Sequence, residues 1–108
     1  MAKPFFAYML ECANGAYYVG HTDVLEKRVA QHEVGEGCEY TAERLPVKFV
    51  WSEEFATREE AKEAEARLKG WSRAKKQALI RGDFKTISIL AKKKDWDTYM
   101  NRKDSNLK

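Results

Sequence analysis

The chain has 108 residues, room for one domain around one modest core. With 44% hydrophobic residues it is too apolar for a disordered chain, and no apolar run approaches the ~20 residues of a membrane span. The net charge of +3 hides an asymmetry: residues 1–66 hold 7 Lys/Arg against 13 Asp/Glu, and residues 67–108 hold 13 against 4, which fits either a phosphate-facing surface or a solubilising basic tail.

Residues 5–12, FFAYMLEC, have the aromatic and apolar composition of a strand, as do residues 16–20, AYYVG. Asn14-Gly15 between them marks a hairpin. The length of the turn matters. A two-residue turn pairs Tyr8 with His21 and sets Tyr8 and Tyr18 on opposite faces. A three-residue loop, Ala13-Asn14-Gly15, pairs Leu10 with Tyr18 and puts both phenols on one face. Glycine in third place suits a type I turn with a G1 bulge, so the bulged hairpin is expected.

Asp23 and Glu26 have the spacing of a capping box, predicting a helix to about His32 or Glu33, stopped by Gly35-Glu36-Gly37. A loop is expected up to Pro46, then a third strand over residues 47–51, VKFVW. Thr57-Arg58-Glu59-Glu60 is a second capping box, and the helix behind it carries Ala61, Ala64, Glu65 and Leu68 on one face, closing near Gly70. Ser72 caps a further helix, with Ala74, Ala78 and Leu79 inward and Gly82 past its end. Ile87, Ile89 and Leu90 can dock as one more turn, and residues 92–94, KKK, and beyond read as solvated or disordered. The order β-β-α-β-α-α implies an α+β fold, a small antiparallel sheet with helices packed on it. The N-terminus lacks a signal peptide's apolar stretch, and Cys12 and Cys38 form no metal-type pair, so a cytoplasmic protein with reduced thiols is expected.

Three features carry chemistry. Glu65 sits within an apolar stripe, where a carboxylate is costly unless paired with Lys62 or Lys69 or holding a cation; a single carboxylate suits Mg2+, which keeps most of its waters. Arg28 and His32 stand at i, i+4 on one helix face, a guanidinium fork for phosphate oxygens beside a proton-handling imidazole. Tyr8, Tyr17 and Tyr18 crowd the hairpin, as core packing or as a paired-phenol site.

Taken in order, these residues resemble the GIY-YIG nuclease family. Phe6-Ala7-Tyr8 stands where that family has its first tripeptide, with Phe6 in place of glycine, and Tyr18-Val19-Gly20 matches the second. The segment from His21 to Arg28, then Gln31-His32, is similar to the family's next segment, and Glu65 falls where the family places its metal-binding glutamate. The pattern through Tyr40-Thr41, Pro46, Glu54-Phe55, Leu68-Lys69 and Lys75-Lys76 looks like the small stand-alone bacterial members. The resemblance implies a three-stranded antiparallel sheet flanked by helices, a nuclease domain over residues 1–84 and a basic tail over 85–108, docked in part or disordered. It implies a metal-dependent endonuclease in which Tyr18 is the base or positions the attacking water, Tyr8 orients Tyr18, Arg28 holds the scissile phosphate and Glu65 binds Mg2+ or Mn2+. His32 continues the catalytic set, and His21, where excision-repair relatives have lysine, is a proton relay. Lys69, Arg73, Lys75, Lys76 and Arg81 would contact nucleic acid, with DNA the first expectation, through phosphates and hence with little sequence preference. Two other readings compete: a non-catalytic nucleic-acid-binding module, and a protein-interaction domain built on Trp71, Trp96 and Tyr99.

Overall fold

The computed structural model describes residues 3–90. Expectations for residues 91–108, including the basic run 92–94, Trp96 and Tyr99, lie outside the described residues. The elements are β1 (Phe5–Glu11), β2 (Tyr17–Thr22), α1 (Leu25–Glu33), α2 (Glu39–Ala42), β3 (Lys48–Phe55), α3 (Arg58–Lys69), α4 (Arg73–Arg81) and α5 (Phe84–Leu90). The chain divides into two compact units, residues 1–70 and 71–108. No helix among the described residues is long and apolar enough to cross a membrane.

The first unit is an α+β body around a three-stranded antiparallel sheet ordered β2-β1-β3. The central strand is the most apolar, and residues 7–10 are buried in succession because strand β1 is covered on both faces. Tyr8, Leu10 and Cys12 alternate onto one face and form a core with Val47, against which Tyr18, Leu25 and Val29 pack. The hairpin takes the three-residue loop. Leu10 pairs with Tyr18 and Tyr8 with Gly20, Cys12 N–H donates to Ala16 O at 2.8 Å, and Gly15 adopts φ 87°, the left-handed value the bulge requires.

Three expectations about elements are corrected. Helix α1 is capped by Val24, not Asp23, with no side-chain cap; Thr22 Oγ1 accepts from Val24 N–H at 3.1 Å and forms the turn instead. The segment expected as loop contains the four-residue helix α2. Strand β3 runs past Trp51 to Phe55, because antiparallel pairing extends along all of β1; Val50 is the extra residue between the pairs Met9–Trp51 and Leu10–Phe49.

Helix α3 begins with the expected capping box. Thr57 Oγ1 accepts from Glu60 N–H at 3.2 Å, and Glu60 Oε1 accepts from Thr57 N–H at 3.3 Å. Thr57→Ala is expected to cost about 1 kcal/mol, lowering the melting temperature by roughly 4–8 °C in thermal denaturation.

In the second unit, α4 is capped by Ser72 and closed by Gly82 at φ 73°. Ala78 is buried as expected, but Ala74 is exposed and Lys75 takes an inward place, its ammonium 4.7 Å from the Trp71 ring centroid. In α5, Ile87 is buried and Ile89 exposed.

Candidate active site

Pairing within the hairpin sets the first two groups. Tyr8 and Tyr18 lie diagonally on neighbouring strands and the same face, with ring centroids 6.3 Å apart. Helix α1 delivers His32 between them, at 5.8 Å from Tyr8 and 5.1 Å from Tyr18. His32 is fully buried, its Nε2 2.9 Å from the Tyr8 hydroxyl and its Nδ1 2.7 Å from Thr41 Oγ1. Two glycines make this packing possible. A Cβ on Gly20 would lie 2.6 Å from the Tyr8 hydroxyl, and one on Gly37 would lie 2.3 Å from His32 Nδ1. Glycine in the Tyr18-Val19-Gly20 tripeptide is thus a steric requirement of the first tyrosine's ring.

Arg28, one turn before His32, stands close enough to Tyr8 for its guanidinium to favour the ionised phenol. It donates to Gln31 Oε1 at 3.3 Å. Its charge bears on every group around it. Burial raises the Tyr8 phenol, and Arg28 only partly offsets that. Tyr18 is raised further, by burial and by the adjacent Tyr8 and Cys38. Burial and the Arg28 charge push His32 down to about 4, so the imidazole is neutral at pH 7. Both phenols are therefore protonated in the free protein, and the site holds one fixed cation among neutral groups.

Glu65 reaches the neighbourhood from α3. Its Oε1 lies 2.6 Å from His21 Nδ1 and its Oε2 2.6 Å from Lys69 Nζ. Burial would raise this carboxyl, but hydrogen bonds from Lys69 and His21 outweigh it and hold the group below the usual carboxylate value. Glu65 is close enough to Tyr8 for its charge to raise that phenol. Tyr8, Tyr18, Arg28 and His32 thus form one cluster with Glu65 beside it. His21, expected as a relay, gives its Nδ1 to Glu65 and stands out of phase with Tyr18 and Gly20 along β2.

The site fits a hard divalent cation. Glu65 offers an ionised, partly exposed oxygen donor, and the Lys69 side chain that pairs with it is 56% exposed on a flexible stem. No group of three or more His, Cys, Asp or Glu side chains that could hold a metal occurs among the described residues. One carboxylate plus water and substrate phosphate is a coordination set suited to Mg2+, not to a closed zinc site.

Comparison with known proteins bears on the whole constellation. A family model described as the GIY-YIG catalytic domain matches residues 4–78, from the residue before β1 into α4. The chain belongs to the GIY-YIG family. Among GIY-YIG relatives, a UPF0213 protein of Streptococcus pneumoniae serotype 4 is 44% identical over 75 residues, 69% of this chain and 76% of that one. A UPF0213 protein of Natronomonas pharaonis is 42% identical over 80 residues, 74% of this chain and 94% of that one. The solution NMR structure of a UPF0213 protein from Bacillus halodurans is 36% identical, covers 72% of this chain and 83% of its own, and aligns with a TM-score of 0.48.

Two groups beside the cluster are ones to which the sequence reading gives no role in the site. Thr41 is fully buried beneath His32, and the Cys38 thiol sits within reach of Thr41 and accepts from the Tyr18 hydroxyl. Both lie in a stretch that reads as loop; the signal is a polar residue with no periodicity to bury it, four places after a glycine. Tyr40, exposed, places its ring 6.0 Å from Tyr18, with the Arg44 guanidinium 3.8 Å from its centroid. Of the expected phosphate contacts, Lys75 is buried against Trp71, which removes both that lysine and that tryptophan from the exposed surface. Lys69 pairs with Glu65 and Arg81 with Asp83 at 3.2 Å, while Arg73 is exposed and Lys76 half-buried.

Proposed function

We propose that this GIY-YIG protein is a metal-dependent endonuclease that hydrolyses phosphodiester bonds of nucleic acid, DNA in the first place, with little sequence preference and a role in repair or processing. The observation that carries the reading is the convergence of two phenols, a neutral imidazole and a guanidinium within one packed cluster, with an ionised carboxylate at its side. Nothing in core packing asks for that combination. All four members and the carboxylate beside them are polar and buried or half-buried, at a cost that apolar residues would avoid.

Each residue has a task. Arg28 offers a fork of N–H donors where negative charge develops on the phosphate. Tyr8, held by His32, buttresses Tyr18 across the strand pair. Tyr18 positions the attacking water, or takes its proton after first losing its own to solvent. Glu65 would hold Mg2+ or Mn2+, with His21 fixing the carboxylate and Lys69 swinging aside. The cation would supply a Lewis acid for the phosphate and acidify a bound water. Lys69, Arg73, Lys76 and Arg81 would add salt-sensitive backbone contacts.

The test is cleavage of plasmid and branched or single-stranded oligonucleotides in Mg2+ or Mn2+. Wild type is expected to cut, and Tyr18→Phe and Glu65→Ala to lose at least about 100-fold. Binding without cutting by wild type would favour the alternative of a non-catalytic nucleic-acid-binding module.

A further inference from the structure

The imidazole of His32 is held from both sides, and counting protons on its neighbours fixes how. Tyr8 is almost wholly buried, and its hydroxyl carries one proton to donate. Among the described hydrogen bonds, the acceptor within reach of that proton is His32 Nε2, at 2.9 Å. Were Nε2 protonated, it would donate to the phenol oxygen, and the phenol's own proton would have no acceptor among the described hydrogen bonds. On the other side, the Thr41 hydroxyl donates to the Cys38 carbonyl at 3.3 Å, which leaves its oxygen to accept from His32 Nδ1 at 2.7 Å. Both ends give one answer: the proton sits on Nδ1 and the lone pair on Nε2.

We propose that Thr41 is a positioning residue that locks His32 in the Nδ1–H tautomer and so aims the Nε2 lone pair at the Tyr8 hydroxyl. This gives the short helix α2 a purpose. Four residues of helix contribute little stability by themselves. They follow the N-cap Cys38, whose carbonyl accepts both from Ala42 N–H at 3.0 Å and from the Thr41 hydroxyl. They set Thr41, fully buried, under the ring, and Gly37 lets the backbone pass at a distance no Cβ permits. The loop-and-helix segment is a saddle for one imidazole. A histidine's reactive nitrogen is set by the hydrogen bond its other nitrogen makes. Orientation of Tyr8, and through it Tyr18, then depends on a hydroxyl that touches neither the phosphate nor the tyrosines.

The activity arm rests on the nuclease reading; the spectroscopic arm does not. The chain has two histidines, so side-chain nitrogen NMR at neutral pH, assigned with His21→Gln, resolves His32 alone. Wild type is expected to show a pyrrole-type Nδ1 and a pyridine-type Nε2. Thr41→Val, which keeps shape and removes the acceptor, is expected to yield a mixture or the opposite tautomer, and Thr41→Ser to restore the original. Cleavage by Thr41→Val should fall about 10- to 100-fold in turnover with KM little changed, and recover in Thr41→Ser. A wild-type spectrum with the proton on Nε2 overturns the proposal, and needs no variant to fold. So does an unchanged His32 spectrum in Thr41→Val. The predicted tautomer in a protein that cuts nothing would leave the proposal standing and remove the nuclease reading instead.

Discussion

Arg28→Ala is expected to slow nucleic-acid cleavage about 1000-fold with little change in melting temperature. A guanidinium facing developing phosphate charge supplies this order of stabilisation. The nearest other cation described around the carboxylate is Lys69, engaged with Glu65. The fold should tolerate the change, because Arg28 is half-buried in the middle of α1 and alanine is the better helix former. Arg28→Lys keeps the charge but loses the two-pronged donor geometry, so its rate should fall between the two. A second readout is independent of substrate. Arg28 helps hold the His32 imidazole down, so in Arg28→Ala that group should titrate at higher pH, measurable by NMR. A variant that cuts as fast as wild type would remove Arg28 from the chemistry, whatever its position beside Tyr8.

Much of this cluster was legible in the chain because it depends on short-range rules. One glycine, Gly15, at the left-handed place of a three-residue loop fixes the register that puts Tyr8 and Tyr18 on one face. The i, i+4 spacing on α1 places Arg28 and His32 together. The Thr57 capping box sets the start of α3 and hence the phase that turns Glu65 inward. What could not be read depends on long-range contact. Asp23 has cap chemistry, but the helix starts one residue later, with Val24 at its N-cap and Thr22 Oγ1 accepting from the Val24 N–H. Helix α2 has no periodicity of its own and is shaped by what Thr41 and Gly37 do around a histidine from another element. Strand β3 is as long as its partner β1 makes it, so polar Ser52, Glu53 and Glu54 are carried into the sheet. Lys75 looks like surface charge until Trp71, four residues earlier, supplies a ring for its ammonium.

Acid should weaken the fold well before carboxylates protonate in bulk, and His32 is the reason. The imidazole is buried between Tyr8 and Thr41, and its folded value lies near 4 against an ordinary 6.5. Between those values the unfolded chain binds a proton that the folded chain refuses, so stability rises with pH across that range. The contribution is complete above about pH 6.5 and is lost progressively as pH falls towards 4. From pH 7 to pH 4 the loss should reach about 2–3 kcal/mol, a large share of a small domain's stability. Glu65, held below its ordinary value, acts in the same direction but lower, losing its contribution only as pH falls below the usual carboxylate range. The two windows separate the causes. Urea denaturation at pH 7, 5.5 and 4 should show most of the decline above pH 4.5 in wild type, and His32→Gln, though less stable at pH 7, should show a much flatter line over that interval. Equal slopes in the two proteins would mean that the imidazole accepts its proton in place, and would break the link between its burial and its neutrality on which the Tyr8 hydrogen bond depends.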